Sequence, residues 1–238
     1  MKKWQVLALL GIIIISSCGF GGRRIRGNGN VRTEDRGQNN FKGIVSSGSF
    51  DVYVSSGSYS VKIEAEENLL PYIQSYVEGD VLKLRTKNGY WLSPEKDIKI
   101  YVSAPALNKI ISNGSGNIVT QSKISDASRI EIEVNGSADI KADVDAPEVK
   151  AELRGSGDMS LTGDTKSFTG KVVGSGDIRA MDLKAEETTI EIVGSGNADV
   201  YSSVKLNVNV AGSGDVRYKG GGEVNSHIAG SGGVKKLD

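Results

Sequence analysis

The tetrapeptide Gly155-Ser156-Gly157-Asp158 returns unchanged at 174–177 and 212–215, and in close variants at 114–117, 136–139, 194–197 and 230–233. With the first glycine of each taken as zero, the origins are Gly114, Gly136, Gly155, Gly174, Gly194, Gly212 and Gly230. Their separations are 22, 19, 19, 20, 18 and 18 residues. A short, nearly constant period marks a repeat architecture in which no unit buries its apolar side alone and stacked units do so together.

The residues before each tetrapeptide say which architecture. Offsets −2, −4 and −6 are mostly apolar, as in Val134, Ile132, Ile130 or Val210, Val208, Leu206. Offsets −3 and −5 are polar, as in Glu133, Glu131 or Asn209, Asn207. Alternation of period two predicts strands with one face in a core and one in water. Offset +4 (Ile118, Ile140, Met159, Ile178, Ala198, Val216, Val234) resumes the inward row, so the glycine tetrapeptide is a corner between two strands. Glycine supplies the positive φ of a tight bend, and a bulky side chain repeated at every coil would clash with itself. The expected fold is all-β, a right-handed parallel β-helix or β-solenoid with about 18–22 residues per coil. Seven coils at about 4.8 Å each give a rod of ~34 Å.

Outside the repeats the chain divides into three parts. At the front, Lys2 and Lys3 precede an apolar run from Val6 to Ile15, then Ser16-Ser17-Cys18. The run is shorter than the roughly 20 residues that span a bilayer, so 1–17 read as a secretory signal. Cys18, the single cysteine, follows small residues as in a bacterial lipobox, which makes it the lipid-bearing first residue of the mature chain and its attachment to a membrane. One thiol allows no internal disulfide. Residues 18–40 are Gly- and Asn-rich and read as a flexible tether. Residues 41–106 alternate without a clean period and form an irregular β section continuous with the regular solenoid of 107–238. Strands are expected at 49–55, 59–65, 80–86 and 97–103, with a short helix or turn near Pro71. Ser46-Ser47-Gly48-Ser49 and Ser55-Ser56-Gly57-Ser58 resemble degenerate corners.

Losing Lys2 and Lys3 from 29 basic residues leaves two fewer than the 29 acidic ones, a net charge of −2. With both signs scattered and no basic patch carrying interleaved aromatics, nucleic acid is excluded as a partner.

The order Phe41 to Val54, then Val61-Lys62-Ile63-Glu64-Ala65, Leu82-Lys83-Leu84-Arg85, the run 98–107 and the repeats from Asn113 resembles the family called putative autotransporter adhesin, head GIN domain. The resemblance implies a β-helical, lipoprotein-like envelope protein of Gram-negative bacteria, and it brings no catalytic residues.

Three columns could carry function. Offset +3 holds Asn117, Asp139, Asp158, Asp177, Asn197, Asp215 and Gly233. Stacked carboxylates repel, and a hard cation would relieve that. Turn capping by Asx side chains is the competing and preferred explanation, because the doubled-glycine calcium nonapeptide is not matched; no cofactor is expected. Asp158 and Asp177 could also approach the ~5–5.5 Å spacing of a retaining glycosidase pair, which makes a carbohydrate-active β-helix the enzymatic alternative. They would sit on a convex corner, however, and no coil is distinguished from the others. The serine column lacks a base, and His227 at offset −3 is expected to be an exposed surface residue. At offset −1, Asn113, Asn135 and Arg154 give way to Val173, Val193, Ala211 and Ala229. These four either form an exposed interaction patch, for a homo-oligomer or another partner, or are buried by a bend at the corner. At offset −3, Glu152, Lys171 and Glu191 alternate in sign and are expected to pair. The preferred function is a non-enzymatic, lipid-anchored outer-membrane scaffold presenting a rigid surface to a protein or glycan. Gly-rich, basic residues after Cys18 leave both a periplasmic and a surface-facing orientation open.

Overall fold

In the computed structural model, which describes residues 22–238, the segments flanking each tetrapeptide are parallel strands and the tetrapeptides lie one above another. Gly114 pairs with Gly136, and the column continues through Gly155, Gly174, Gly194 and Gly212 to Gly230. This is the β-solenoid the period implied. Each first glycine has φ between +130° and +158°, a region that side chains with a Cβ avoid. Built there, a Cβ would meet the carbonyl of the corner glycine one coil earlier.

Two faces of one continuous sheet meet at that corner. Strands ending at the glycine, such as Arg129–Gly136, Lys205–Gly212 and Glu223–Gly230, make face A. Strands beginning at offset +4, such as Ile118–Thr120, Ala198–Tyr201, Val216–Lys219 and Val234–Lys236, make face B. The middle strands Ile140–Gly155, Met159–Gly174 and Ile178–Gly194 run unbroken from one glycine corner to the next and contribute to both faces. The inward rows are fully buried: Ile130, Ile132, Val134, Val149, Leu153, Val172, Ile190, Ile192 and Val210 are all at most 1% exposed. Gly170, an inward glycine, makes room for its neighbours, since a Cβ there would lie 2.8 Å from Ile190 Cδ1 and 3.2 Å from the Phe168 ring.

The section before the repeats belongs to the same stack, with its coils out of sequence order. Lys109–Gly114 pairs with Gly43–Ser47, which pairs with Val81–Thr86. Ile118–Thr120 pairs with Asp51–Ser56, which pairs with Lys99–Ala104. Residues 43–56 are therefore a full coil with its own corner at Gly48, whose carbonyl accepts from the N–H of Ser115 at 3.2 Å. Phe50 takes the second-glycine place in that corner and is buried. A large side chain fits there because the coil beneath leaves the stack after Thr86 and rejoins it at Lys99.

The other expected corner, Ser55–Ser58, is instead a reversal. It turns Asp51–Ser56 into Ser60–Glu66, which runs antiparallel to Lys99–Ala104. Val31–Asp35 and Ile73–Glu78 are also antiparallel and occupy the outer edges of the two faces. Such edges do not continue the parallel stacking, which blunts that end against adding further chains. The turn near Pro71 is one 3₁₀ turn, Leu70–Tyr72.

Over the described residues 22–40, the tether reading of 18–40 needs correction. Arg23–Arg26 pairs with Tyr90–Ser93 as a two-stranded sheet, and Val31–Asp35 pairs with Ser60–Glu66. The polar composition that suggested a loop belongs to exposed strands. Between them the chain is fastened by Glu66, a fully buried carboxylate that accepts the N–H of Gly29 through one oxygen and that of Glu95, at 2.9 Å, through the other. Burial alone would push Glu66 up; the N–H groups of Gly29, Glu95 and Lys96 outweigh it and hold the carboxyl below its ordinary value.

Candidate functional site

Offset −1 on face A points to solvent. Val173 is in register with Val193, Val193 with Ala211 and Ala211 with Ala229, so the four form one continuous row. Val193 is 42% exposed, Ala211 and Ala229 are exposed and Val173 is half-buried. The strand therefore does not bend to cover them. Row spacing is that of neighbouring strands, about 4.8 Å, and the next outward row, at offset −3, is Lys171, Glu191, Asn209 and His227. Thr169, Thr189, Asn207 and Asn225 form a third outward row in register, at offset −5. One groove on this face is lined by Glu131, Lys150, Thr169 and Thr189; another, nearer the C-terminal end, by Asn207, Asn209, Asn225 and His227. His227 is exposed, as its offset implied. Of the charges at offset −3, Lys171 Nζ meets Glu191 at 2.8 Å. Glu152 is taken by Arg154, which also holds Glu133. Exposed pairs of this kind contribute about 1 kcal/mol or less.

The offset +3 column is a hydrogen-bonded ladder along the corner. The Oδ1 of Asp51 accepts the N–H of Asn117, and Asn117 accepts that of Asp139. The pattern continues through Asp158, Asp177, Asn197 and Asp215 to Gly233, with N···O distances between 2.8 and 3.2 Å. Each side chain thus holds the next coil's backbone. The second oxygens of Asp158 and Asp177 converge on Arg179, at 2.8 and 3.2 Å. That contact with Asp158 raises the affinity of Arg179 for its proton. Both oxygens of Asp158 and of Asp177 therefore have a donor, an arrangement suited to tying coils together. A general acid or a nucleophile needs an oxygen directed at a cleft, and no group of three metal-ligating side chains comes together among the described residues. Cys18 lies outside the described residues.

The same stacked corners and faces recur in known proteins. The family model described as "Putative auto-transporter adhesin, head GIN domain" matches residues 40–222. The chain belongs to this family. Among solved structures, a protein from Parabacteroides distasonis titled as a lipid binding protein is 28% identical, with a TM-score of 0.75, over 91% of this chain and 100% of its own. An adhesin so titled from Bacteroides fragilis is 22% identical, with a TM-score of 0.83, over 90% of this chain and 100% of its own. A further adhesin-titled structure from Parabacteroides merdae has 21% identity and a TM-score of 0.70, over 91% and 100%. The latter two share the fold. No curated protein matches the chain. The head GIN family and these neighbours are described as adhesins or binding proteins, not enzymes.

Two features escaped the sequence reading. The buried role of Glu66 leaves no local signal, because its partners Gly29 and Glu95 are 37 and 29 residues away. Trp91, 62% exposed, stands in a short alternating run, Tyr90-Trp91-Leu92-Ser93, whose partner strand lies in the stretch read as a tether.

Proposed function

We propose that this protein is a non-enzymatic adhesin-like rod of the cell envelope, held in the outer membrane by a lipid on Cys18, that engages a protein or glycan through face A. The observation that carries the proposal is the continuous outward row Val173, Val193, Ala211 and Ala229, apolar and exposed from Val193 onward, on a parallel sheet whose neighbouring outward row is polar. A contiguous apolar row left in water marks a surface suited to contact, and its short side chains lose little rotamer entropy when covered. The leader and the lipobox-like position of Cys18 support the anchor, and the family description supports binding over catalysis.

The test is Val193→Asp in the rod expressed from residue 19. Glycan arrays, capture from envelope extracts and light scattering should show loss of ligand binding or of self-association against the parent. Unchanged capture and unchanged oligomeric state reject face A as the binding surface. Intact-mass measurement of protein extracted from envelopes should show the acyl chains on Cys18; an unmodified mature N-terminus rejects the anchor.

A further inference from the structure

The small sheet formed by Arg23–Arg26 and Tyr90–Ser93 has two unlike faces. Ile25 and Leu92 are turned to the core, against which both pack. Arg24, Arg26, Trp91 and Ser93 alternate to the other side. Trp91 is the most exposed large apolar side chain among the described residues, at 62%, and its register partner is Arg24. Arg26 is paired with Glu95 at 2.8 Å, whereas Arg24 donates only to the neutral Ser93 hydroxyl, at 2.7 Å. Arg23 and Arg24 form no ion pair among the described residues and both are exposed. An indole beside an unpaired guanidinium, here Trp91 and Arg24, is the combination that sits well at a lipid–water boundary, with the ring at headgroup level and the cation on anionic phosphates.

Chain length puts the feature where such a boundary would be. Near the start of the described residues, the Arg23 N–H donates to the carbonyl of Gly89 at 2.8 Å, two residues from Trp91. Cys18 precedes Gly22 by four residues, and a chain of four residues spans at most about 14 Å. A lipid on Cys18 would hold this sheet within reach of the headgroups.

We infer that the outer side of this two-stranded sheet, with Trp91 and Arg24, is a membrane-docking surface for anionic phospholipid headgroups, fixing how the rod stands on its bilayer. The inference rests on the Cys18 anchor for orientation, yet it is testable without the lipid.

A chain starting at residue 19 retains every described strand, the first of which starts at Arg23, and it contains Trp91 as its sole tryptophan because Trp4 is lost with the leader. It is mixed with vesicles of phosphatidylglycerol and phosphatidylethanolamine in equal parts, or of phosphatidylcholine alone. With the anionic vesicles the Trp91 emission should move to shorter wavelength and be quenched by brominated acyl chains. With phosphatidylcholine, or in high salt, both effects should be largely lost. Arg24→Gln should weaken partition into the anionic vesicles about fivefold, the equivalent of the ~1 kcal/mol that one cation gains at such a surface. Arg32→Gln, which removes an exposed cation from another strand, should change it far less. Circular dichroism of the variants, whose substituted side chains lie at the surface, checks the fold. An unshifted Trp91 with anionic vesicles, or equal partition into both vesicle types, overturns the inference even if Cys18 is acylated. A shifted Trp91 supports it whatever the mass of Cys18 proves to be, so failure of the anchor and failure of the face are read on different samples.

Discussion

Replacing Gly174 by alanine inserts one methyl group at a corner where neither the backbone angle nor the neighbour can yield. Its φ is +132°, and holding a residue with a Cβ in such a region costs about 1–3 kcal/mol. The new Cβ would press on the carbonyl of Gly155 and lie 3.1 Å from its carbon and 3.2 Å from its nitrogen. That backbone is fixed in turn, because the same carbonyl accepts the N–H groups of Ser175 and Gly176 at 3.0 and 3.3 Å. Overpacking against a part that cannot move adds about 1–3 kcal/mol, for a total near 4 kcal/mol. At this chain length a loss of that size lowers the melting temperature by roughly 8–16 °C. The control is Ser175→Ala, an exposed corner side chain, which should leave stability within about 0.5 kcal/mol of the parent. Thermal and denaturant unfolding of the two variants, followed by circular dichroism, decide the matter. A Gly174→Ala protein as stable as Ser175→Ala refutes the claim that superposed glycines set the coil spacing.

Other consequences follow from the same contacts. Asp177→Ala removes the acceptor for the Asn197 N–H and one partner of Arg179, and should destabilise by about 1–2 kcal/mol in urea unfolding. Asp177→Asn should cost less than about 0.5 kcal/mol, because Asn197 already fills the same role through its amide oxygen. A loss as large for asparagine as for alanine would contradict the ladder. Glu66→Gln should destabilise by about 2–3 kcal/mol near neutral pH, since the amide group cannot accept from both Gly29 and Glu95. The folded-state pKa of Glu66 is depressed, so its contribution is complete above the unfolded value of 4.5 and fades as pH falls through the folded value. The stability gap between parent and Glu66→Gln should therefore shrink in acid, and a gap that widens there would reverse the assignment. Arg154→Ala breaks contacts to Glu133 and Glu152 that are half-exposed, and melting should show a loss of about 1 kcal/mol or less.

The repeats were legible because each coil repeats the same local demand: alternate side chains inward, then a bend only glycine can make. The column of Gly114 to Gly230 and the buried rows follow from spacing alone. Residues 41–106 were harder, because coil order departs from sequence order there. Gly43–Ser47 finds its neighbours at Val81–Thr86 and Lys109–Gly114, and no period connects segments inserted between one another. The strands at Arg23–Arg26 and Val31–Asp35 were read as a tether for a related reason. Exposed on most of their surface, they lack the apolar alternation that marks a half-buried strand, and they are held by distant partners such as Glu66. The face A row was visible as a change of residue type, but whether Val193 met solvent depended on how the strand approached its corner, which only coordinates show.

The proposal that face A binds is tested most directly by placing the same charge on each of two faces and measuring binding to one ligand. Val193→Asp alters face A and Ser160→Asp alters face B, where Ser160 is half-buried beside Arg179. With a glycan or envelope protein captured by the parent rod, titration should show binding lost in Val193→Asp and retained in Ser160→Asp. Equal affinity in both variants, or loss confined to Ser160→Asp, would contradict the account.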